Sequence, residues 1–180
     1  LKIVVDYSSH KIASAGFTSG SMIGANNGDW PEEYALFSGM GSTGLYSKYL
    51  SVFGVPVLAT NKTDDYNLAR IGSVLAEYID NDQDGVADSP DVLQSLIDNK
   101  SVLLMTENEA EYVNTGSLFE NVWQNSGYNT QVIYSTTSAV GADAGLEQVF
   151  HFVSSGGYNS FSAGVFGLNS GSVLGKLTDS

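Results

Sequence analysis

The stretch "DDYNLARIGSVLAEYIDNDQDGVADSPDVLQSLIDN", residues 64–99, predicts two helices joined by an acidic loop. In its first half, apolar residues recur at spacings of 3, 4 and 4, which is the pattern of a helix with one buried face. These residues are Leu68, Ile71, Leu75 and Ile79. Asp64 or Asp65 is suited to cap the start of this helix. Ser89 is suited to cap the second helix, in which Pro90 would take the first position.

Strand-like segments surround this element. "LKIVVDY" (1–7), "SVFGVPVLAT" (51–60), "SVLLMT" (101–106) and "TQVIYSTTS" (130–138) are rich in β-branched residues and are each predicted as a strand. Pro56 lies inside the second of these and favours an edge strand or a bulge there. Further helices are predicted at 107–115 and 117–127, and at 143–157, where Gly156 and Gly157 would end the helix.

Strands and helices therefore alternate along the chain, which favours a single α/β or mixed α+β domain over residues 1–180. The Gly/Ser-rich C-terminal segment, 154–180, is predicted to form loops and one short strand. Its small residues would also suit close backbone packing or an interface. We therefore consider an oligomer formed through this segment.

Composition limits the classes of partner. The chain has 20 acidic and 7 basic residues, a net charge of −13 and no basic patch, so we expect no nucleic acid partner. No apolar run is long enough for a membrane span. The absence of cysteine excludes disulfides and thiolate metal sites. A first residue other than methionine and the glycosylation sequon at Asn61 lead us to expect an extracellular protein.

The acidic loop has the ligand spacing of a calcium site. Ca²⁺ takes six to eight oxygen ligands, which a twelve-residue loop supplies from positions 1, 3, 5, 7, 9 and 12, with glycine at position 6. With Asp80 as position 1, Gly85 falls at position 6 and Val86 falls at position 7, which contributes a backbone carbonyl. Aspartates occupy the other ligand positions. The alternative is a solvated acidic turn, in which the crowded carboxylates would repel one another.

This loop and its flanking helices, residues 66–99, resemble the EF-hand family, and the final aspartate is most similar to the dockerin type of loop. The resemblance implies that Ca²⁺ binds Asp80, Asp82, Asp84, Val86, Asp88 and Asp91. The chain departs from the family in two ways. EF-hands usually have glutamate at position 12, and their loops usually occur in pairs, whereas this chain has one. A lone loop favours a structural role for the ion over switching.

Two other functions stay open at the level of sequence. Glu147 and His151 lie four residues apart on a predicted helix and so share one face, where they would serve a degenerate metal-dependent hydrolase. The zincin pattern His-Glu-x-x-His is absent, and an ordinary ion pair explains the spacing equally well. The aromatic residues, 11% of the chain, would also suit a carrier of an apolar, pigment-like molecule. We expect a secreted, calcium-binding and non-catalytic domain that binds a ligand or partner.

Overall fold

Four strands of the chain pair into one mixed sheet. In the computed structural model, the described residues are 4–6, 11–13, 46–113, 127–135, 138–139, 142–167 and 169–178. The strands are β1 (Val4–Asp6), β2 (Lys11–Ala13), β3 (Tyr46–Val52), β4 (Val55–Thr60), β5 (Ser101–Thr106), β6 (Asn129–Tyr134), β7 (Ser138–Ala139) and β8 (Ala142–Asp143). The main sheet has the order β3-β4-β5-β6, while β1 pairs with β2 and β7 with β8.

The main helices are five α-helices and one π-helix. They are α1 (Asp65–Ile79), α2 (Pro90–Asp98), α3 (Ala144–Phe152), the π-helix (Val153–Asn159), α4 (Ala163–Phe166) and α5 (Val173–Thr178). The predicted helix at 107–115 is helical at 109–113. The predicted helix at 117–127 lies almost entirely outside the described residues. None of the described helices has the length and hydropathy needed to cross a membrane.

The prediction of a single strand over 51–60 is wrong, because the chain turns there. Phe53 and Gly54 have φ angles of 51° and 87°, and they join the antiparallel strands β3 and β4 as a hairpin. Glycine adopts such angles without a steric penalty. Pro56 pairs with β3, whereas the pairing of β4 with β5 begins at Val57. Proline, which lacks an N–H donor, therefore lies where β4 has a neighbour on one side only.

The acidic loop is part of a crossover connection. Strands β4, β5 and β6 are parallel, so the chain between β4 and β5 must return along the sheet, and α1 and α2 form this return. Helix α1 packs against β3, β4 and α3, and its predicted stripe is buried. Each such side chain contributes about 1.5–3 kcal/mol when fully buried. The prediction of a mixed α+β domain with a helix–loop–helix element is confirmed.

The predicted helix end at Gly156 and Gly157 is wrong, because the chain continues through both residues as the π-helix. The glycines serve close packing against α2 instead. A Cβ added at Gly157 would lie 2.8 Å from Val92 Cγ1, and one added at Gly156 would lie 3.2 Å from Leu96 Cδ2. Asn99 also donates a hydrogen bond from its side chain to the Gly156 carbonyl, at 3.0 Å.

The expectation of loops and a strand at the C-terminus is also wrong, since α4 and α5 form there. Small residues allow the backbone to pack closely around these two short helices. A Cβ added at Gly167 would lie 2.3 Å from the Ala163 carbonyl oxygen, and one added at Gly175 would lie 2.2 Å from that of Asn169. The Gly175 N–H also donates to Ser172 Oγ at 2.9 Å. The small residues therefore allow close backbone contact, as the sequence suggested.

Candidate metal centre

The centre begins where α1 ends. The Asp80 N–H donates to the Ala76 carbonyl at 2.8 Å, and the Asp80 backbone then leaves the helical conformation at φ −138°. Asp80 is only 5% exposed, although it is charged. A buried carboxylate requires hydrogen-bond partners or a cation. The end of α1 thus holds one acidic group at the inner side of the loop.

Backbone donors of the loop meet both oxygens of this carboxylate. Asp80 Oδ1 accepts from the Asp84 N–H at 3.1 Å, and Oδ2 accepts from the Gly85 N–H at 2.9 Å. The chain can bend back in this way because Gly85 has a φ of 90°, a conformation that favours glycine. Gln83 also has a positive φ, 60°. The glycine assigned to position 6 therefore lies at a sharp turn, as the sequence predicted.

The other acidic side chains shape the loop through bonds to its backbone. Asp82 Oδ1 accepts from the Asp84 N–H at 3.2 Å, and Asp84 Oδ1 accepts from the Val86 N–H at 2.8 Å. Asp88 Oδ2 accepts from the Asn81 N–H at 2.9 Å. The first two are local turns that aspartate commonly forms, whereas the Asp88 bond closes the loop across seven residues. They hold the loop in a curved conformation.

Three of the five predicted aspartates come together. Single carboxylate oxygens of Asp80, Asp82 and Asp88 lie within 4.8 Å of one another, so this cluster could hold a metal ion. Asp84 and Asp91 are outside this group of three. Asp91 lies in the first turn of α2. The side chain of Val86 is exposed.

Like charges repel one another within the cluster. The Asp84 N–H, which donates to Asp82, lowers the pKa of the Asp82 carboxyl. Repulsion from the carboxylates of Asp84 and Asp88, desolvation and a hydrogen bond with Asp80 together outweigh that effect, so the net pKa of Asp82 is raised. Within the described part of the chain, no lysine or arginine forms a salt bridge with these groups.

Glu147 and His151 lie apart from this cluster, on α3. His151 Nε2 is 3.6 Å from Glu147 Oε1, and the two side chains are 55% and 63% exposed respectively. In the ranges that the structure describes, no third histidine or carboxylate joins them in a metal-binding group. Their arrangement is that of an exposed i,i+4 pair, which contributes a few tenths of a kcal/mol.

A small cavity lies between the end of the loop and the π-helix. Its lining includes Tyr78, Asp88, Leu93 and Tyr158. Its volume is about 10 Å³, which is about the space that one water molecule needs. A pigment-sized ligand requires a site of about 300 Å³ or more. This cavity therefore does not serve the carrier function considered from the sequence.

A polar network at the carboxyl ends of the parallel strands was not predicted from the sequence. Thr60 Oγ1 donates to Glu111 Oε2 at 3.1 Å, across 51 residues of chain. Lys48 forms an ion pair with Asp65 at 2.6 Å. Burial, and then the neighbouring Tyr112 and Glu111, raise the pKa of the Tyr46 hydroxyl nearby. In the sequence, only the threonines that end β4 and β5 mark this network. Threonine is too common in strands to identify a site.

No protein-family model, curated protein sequence or solved structure matches this chain. The resemblance of residues 80–91 to EF-hand and dockerin loops consequently depends on their spacing and residue types alone.

Proposed function

We propose that this chain is a secreted, calcium-binding and non-catalytic domain that binds a ligand or partner, and that Ca²⁺ in the loop 80–91 stabilises its fold. One observation carries the calcium part of the proposal. The oxygens of Asp80, Asp82 and Asp88 converge within 4.8 Å in a loop with the spacing of a twelve-residue calcium site.

The chemistry of the ligands favours Ca²⁺ over other common ions. Calcium prefers hard oxygen ligands in a flexible cage, while zinc and copper favour histidine and cysteine, of which the loop has none. The three clustered carboxylates would be joined by the carboxylates of Asp84 and Asp91 and by the Val86 carbonyl. Magnesium demands a near-ideal octahedral arrangement and keeps its waters, so it is the weaker candidate.

A structural role follows from the position of the loop in the fold. The Asp88 N–H donates to the Ile79 carbonyl at 2.9 Å, which connects the end of α1 to the residues just before α2. Helix α2 in turn packs against the π-helix through Val92 and Leu96. An ion that binds only the folded loop would stabilise this connection between β4 and β5 by mass action.

Support for a partner-binding role comes from the C-terminal helices. Five large apolar side chains are exposed on or next to α4 and α5, namely Phe161, Val165, Val173, Leu174 and Leu177. Helices α4 and α5 contact each other, and exposed apolar groups on neighbouring elements mark interaction sites more often than isolated ones do. We assign partner contact or self-association to this segment. The alternatives, a pigment-type carrier and a hydrolase using Glu147 and His151, have no comparable support among the described residues.

Thermal unfolding with and without calcium tests the proposal. At 10 mM Ca²⁺ and a Kd of about 10⁻⁴ to 10⁻³ M, the stabilisation is about 1.4–2.7 kcal/mol. For a chain of this size, that corresponds to a rise in Tm of about 3–11 °C relative to protein in EDTA. Magnesium at the same concentration is the control and should give a smaller shift. Identical Tm values in calcium and in EDTA would contradict the proposal.

A further inference from the structure

The sequon at residues 61–63 places its two functional side chains in opposite environments. It follows β4 directly and forms the turn before α1. Asn61 and Lys62 are exposed to solvent. Thr63, in contrast, is 1% exposed. The group that would carry a glycan is therefore accessible in the fold, while the hydroxyl that defines the sequon is not.

Contacts with distant residues hold the Thr63 hydroxyl. It donates to the carbonyl of Met105 on β5 at 3.4 Å and lies 3.3 Å from Thr60 Oγ1. The Thr63 N–H donates to the Thr60 carbonyl at 3.2 Å, and Lys48 donates to the Thr63 carbonyl. The sequon is thus fixed in a tight turn whose third residue, Thr63, packs against the ends of β4 and β5.

We propose that Asn61 is an N-glycosylation site that can be modified only before β5 docks against β4. A sequon requires serine or threonine two residues after asparagine, so the transferase must recognise that hydroxyl. In the folded chain the Thr63 hydroxyl is inaccessible, and the folded protein is not a substrate. Because Asn61 is exposed to solvent, a glycan attached earlier is compatible with the final fold.

The reaction is a group transfer with a defined co-reactant, a lipid-linked oligosaccharide diphosphate. The side-chain nitrogen of Asn61 forms a bond to the anomeric carbon of the first sugar. The bond from that carbon to the diphosphate oxygen breaks, and the lipid diphosphate leaves with the electron pair. One amide proton passes to a base of the transferase. No oxidation or reduction takes place.

The order of the chain sets a time window for this reaction. Met105, which accepts the Thr63 hydroxyl bond, follows Thr63 by 42 residues. At a synthesis rate of about 5–20 residues per second, the sequon emerges about 2–8 s before the residue that sequesters it. The inference depends on the secreted location in the proposed function, but it does not depend on calcium binding.

Two measurements on the full chain test this inference. First, the chain is directed through the secretory pathway of a eukaryotic cell, and the secreted protein is weighed by mass spectrometry. We expect one glycan on the wild-type chain and on Thr63→Ser, which keeps the hydroxyl, and none on Asn61→Gln. Because Asn61 is exposed, Asn61→Gln should fold normally. Secreted wild-type protein without a glycan would overturn the inference and leave the calcium proposal intact.

Second, unglycosylated wild-type protein, purified from a host without this modification, is incubated with the transferase and its lipid-linked oligosaccharide. We expect no modification of the folded protein and efficient modification of a peptide that spans residues 55–70. Modification of the folded protein as fast as that of the peptide would overturn the claim that folding closes the site. The calcium-dependent Tm shift of the same preparation tests the proposed function separately.

Discussion

The contact between the π-helix and α2 leaves too little room for a methyl group at Gly157, so we expect alanine there to destabilise the fold. In Gly157→Ala, the new methyl group would lie 2.8 Å from Val92 Cγ1 and 3.5 Å from Leu96 Cγ. Carbon atoms in favourable contact are about 3.5–4.0 Å apart, so the Val92 contact is too short by about 1 Å. Relieving this overlap requires the Val92 side chain, α2 or the π-helix to shift.

Overpacking of this kind destabilises a protein by about 1–3 kcal/mol. The helix preference of alanine over glycine offsets about 1 kcal/mol of that loss. Gly157→Ala should therefore lose about 0–2 kcal/mol of unfolding free energy. Gly164→Ala is the matched control, because a Cβ there meets nothing within 4 Å. It should gain up to about 1 kcal/mol from the same helix preference.

Urea unfolding of both variants, followed by circular dichroism, measures this comparison. The free energy of unfolding of Gly157→Ala should be about 1–3 kcal/mol lower than that of Gly164→Ala, with similar m-values. The corresponding difference in Tm is about 2–4 °C for each kcal/mol. If Gly157→Ala is as stable as Gly164→Ala or more so, the close approach of α2 to the π-helix is not a packing constraint, and our explanation of Gly156 and Gly157 is wrong.

Two further substitutions test the electrostatics. The pKa of Asp82 is raised in the folded state, so ionisation of this side chain lowers the stability of the metal-free fold. The lost stability returns as the pH falls through the folded-state pKa and Asp82 is protonated. In EDTA, Asp82→Asn should therefore melt above wild type at neutral pH and together with it below about pH 3.9, the ordinary aspartate value. In excess calcium, the Tm of wild type should be higher than that of Asp82→Asn. A variant that keeps the higher Tm in calcium would contradict the role of Asp82. His151→Ala should change the free energy of unfolding by less than about 0.5 kcal/mol, because its partner Glu147 is exposed. Stoichiometric zinc in dialysed wild type that is lost in this variant would instead favour the hydrolase.

Features of the fold with local causes were predictable from the sequence. Helix α1 follows from its apolar spacing, and Asp64 caps it by accepting from the Tyr66 N–H at 2.8 Å. Ser89 takes the predicted cap position of α2 but forms no side-chain capping bond. The loop conformation was predictable because Gly85 and the aspartates act within the loop itself, over at most seven residues. Each of these effects operates within a few residues.

Features that depend on distant contacts were not predictable. Gly156 and Gly157 resemble a helix end in sequence, but the chain continues through them, and distant side chains of α2 and the sheet leave little room for a Cβ there. The Thr60–Glu111 bond joins residues 51 positions apart. The hairpin turn at Gly54 is local, but the apolar residues on both sides of it give the same pattern as one long buried strand. One sequence does not separate these alternatives.

Isothermal titration of metal-stripped protein with Ca²⁺ tests the central claim most directly. We expect one Ca²⁺ per chain with a Kd of about 10⁻⁴ to 10⁻³ M. Asp82→Asn should bind more weakly, because it removes a charged ligand while its amide oxygen can still accept from the Asp84 N–H. Val86→Ala should bind like wild type, because residue 86 is expected to contribute only its carbonyl. Wild-type protein that takes up no calcium at millimolar concentrations would contradict the account, as would equal affinities of wild type and Asp82→Asn.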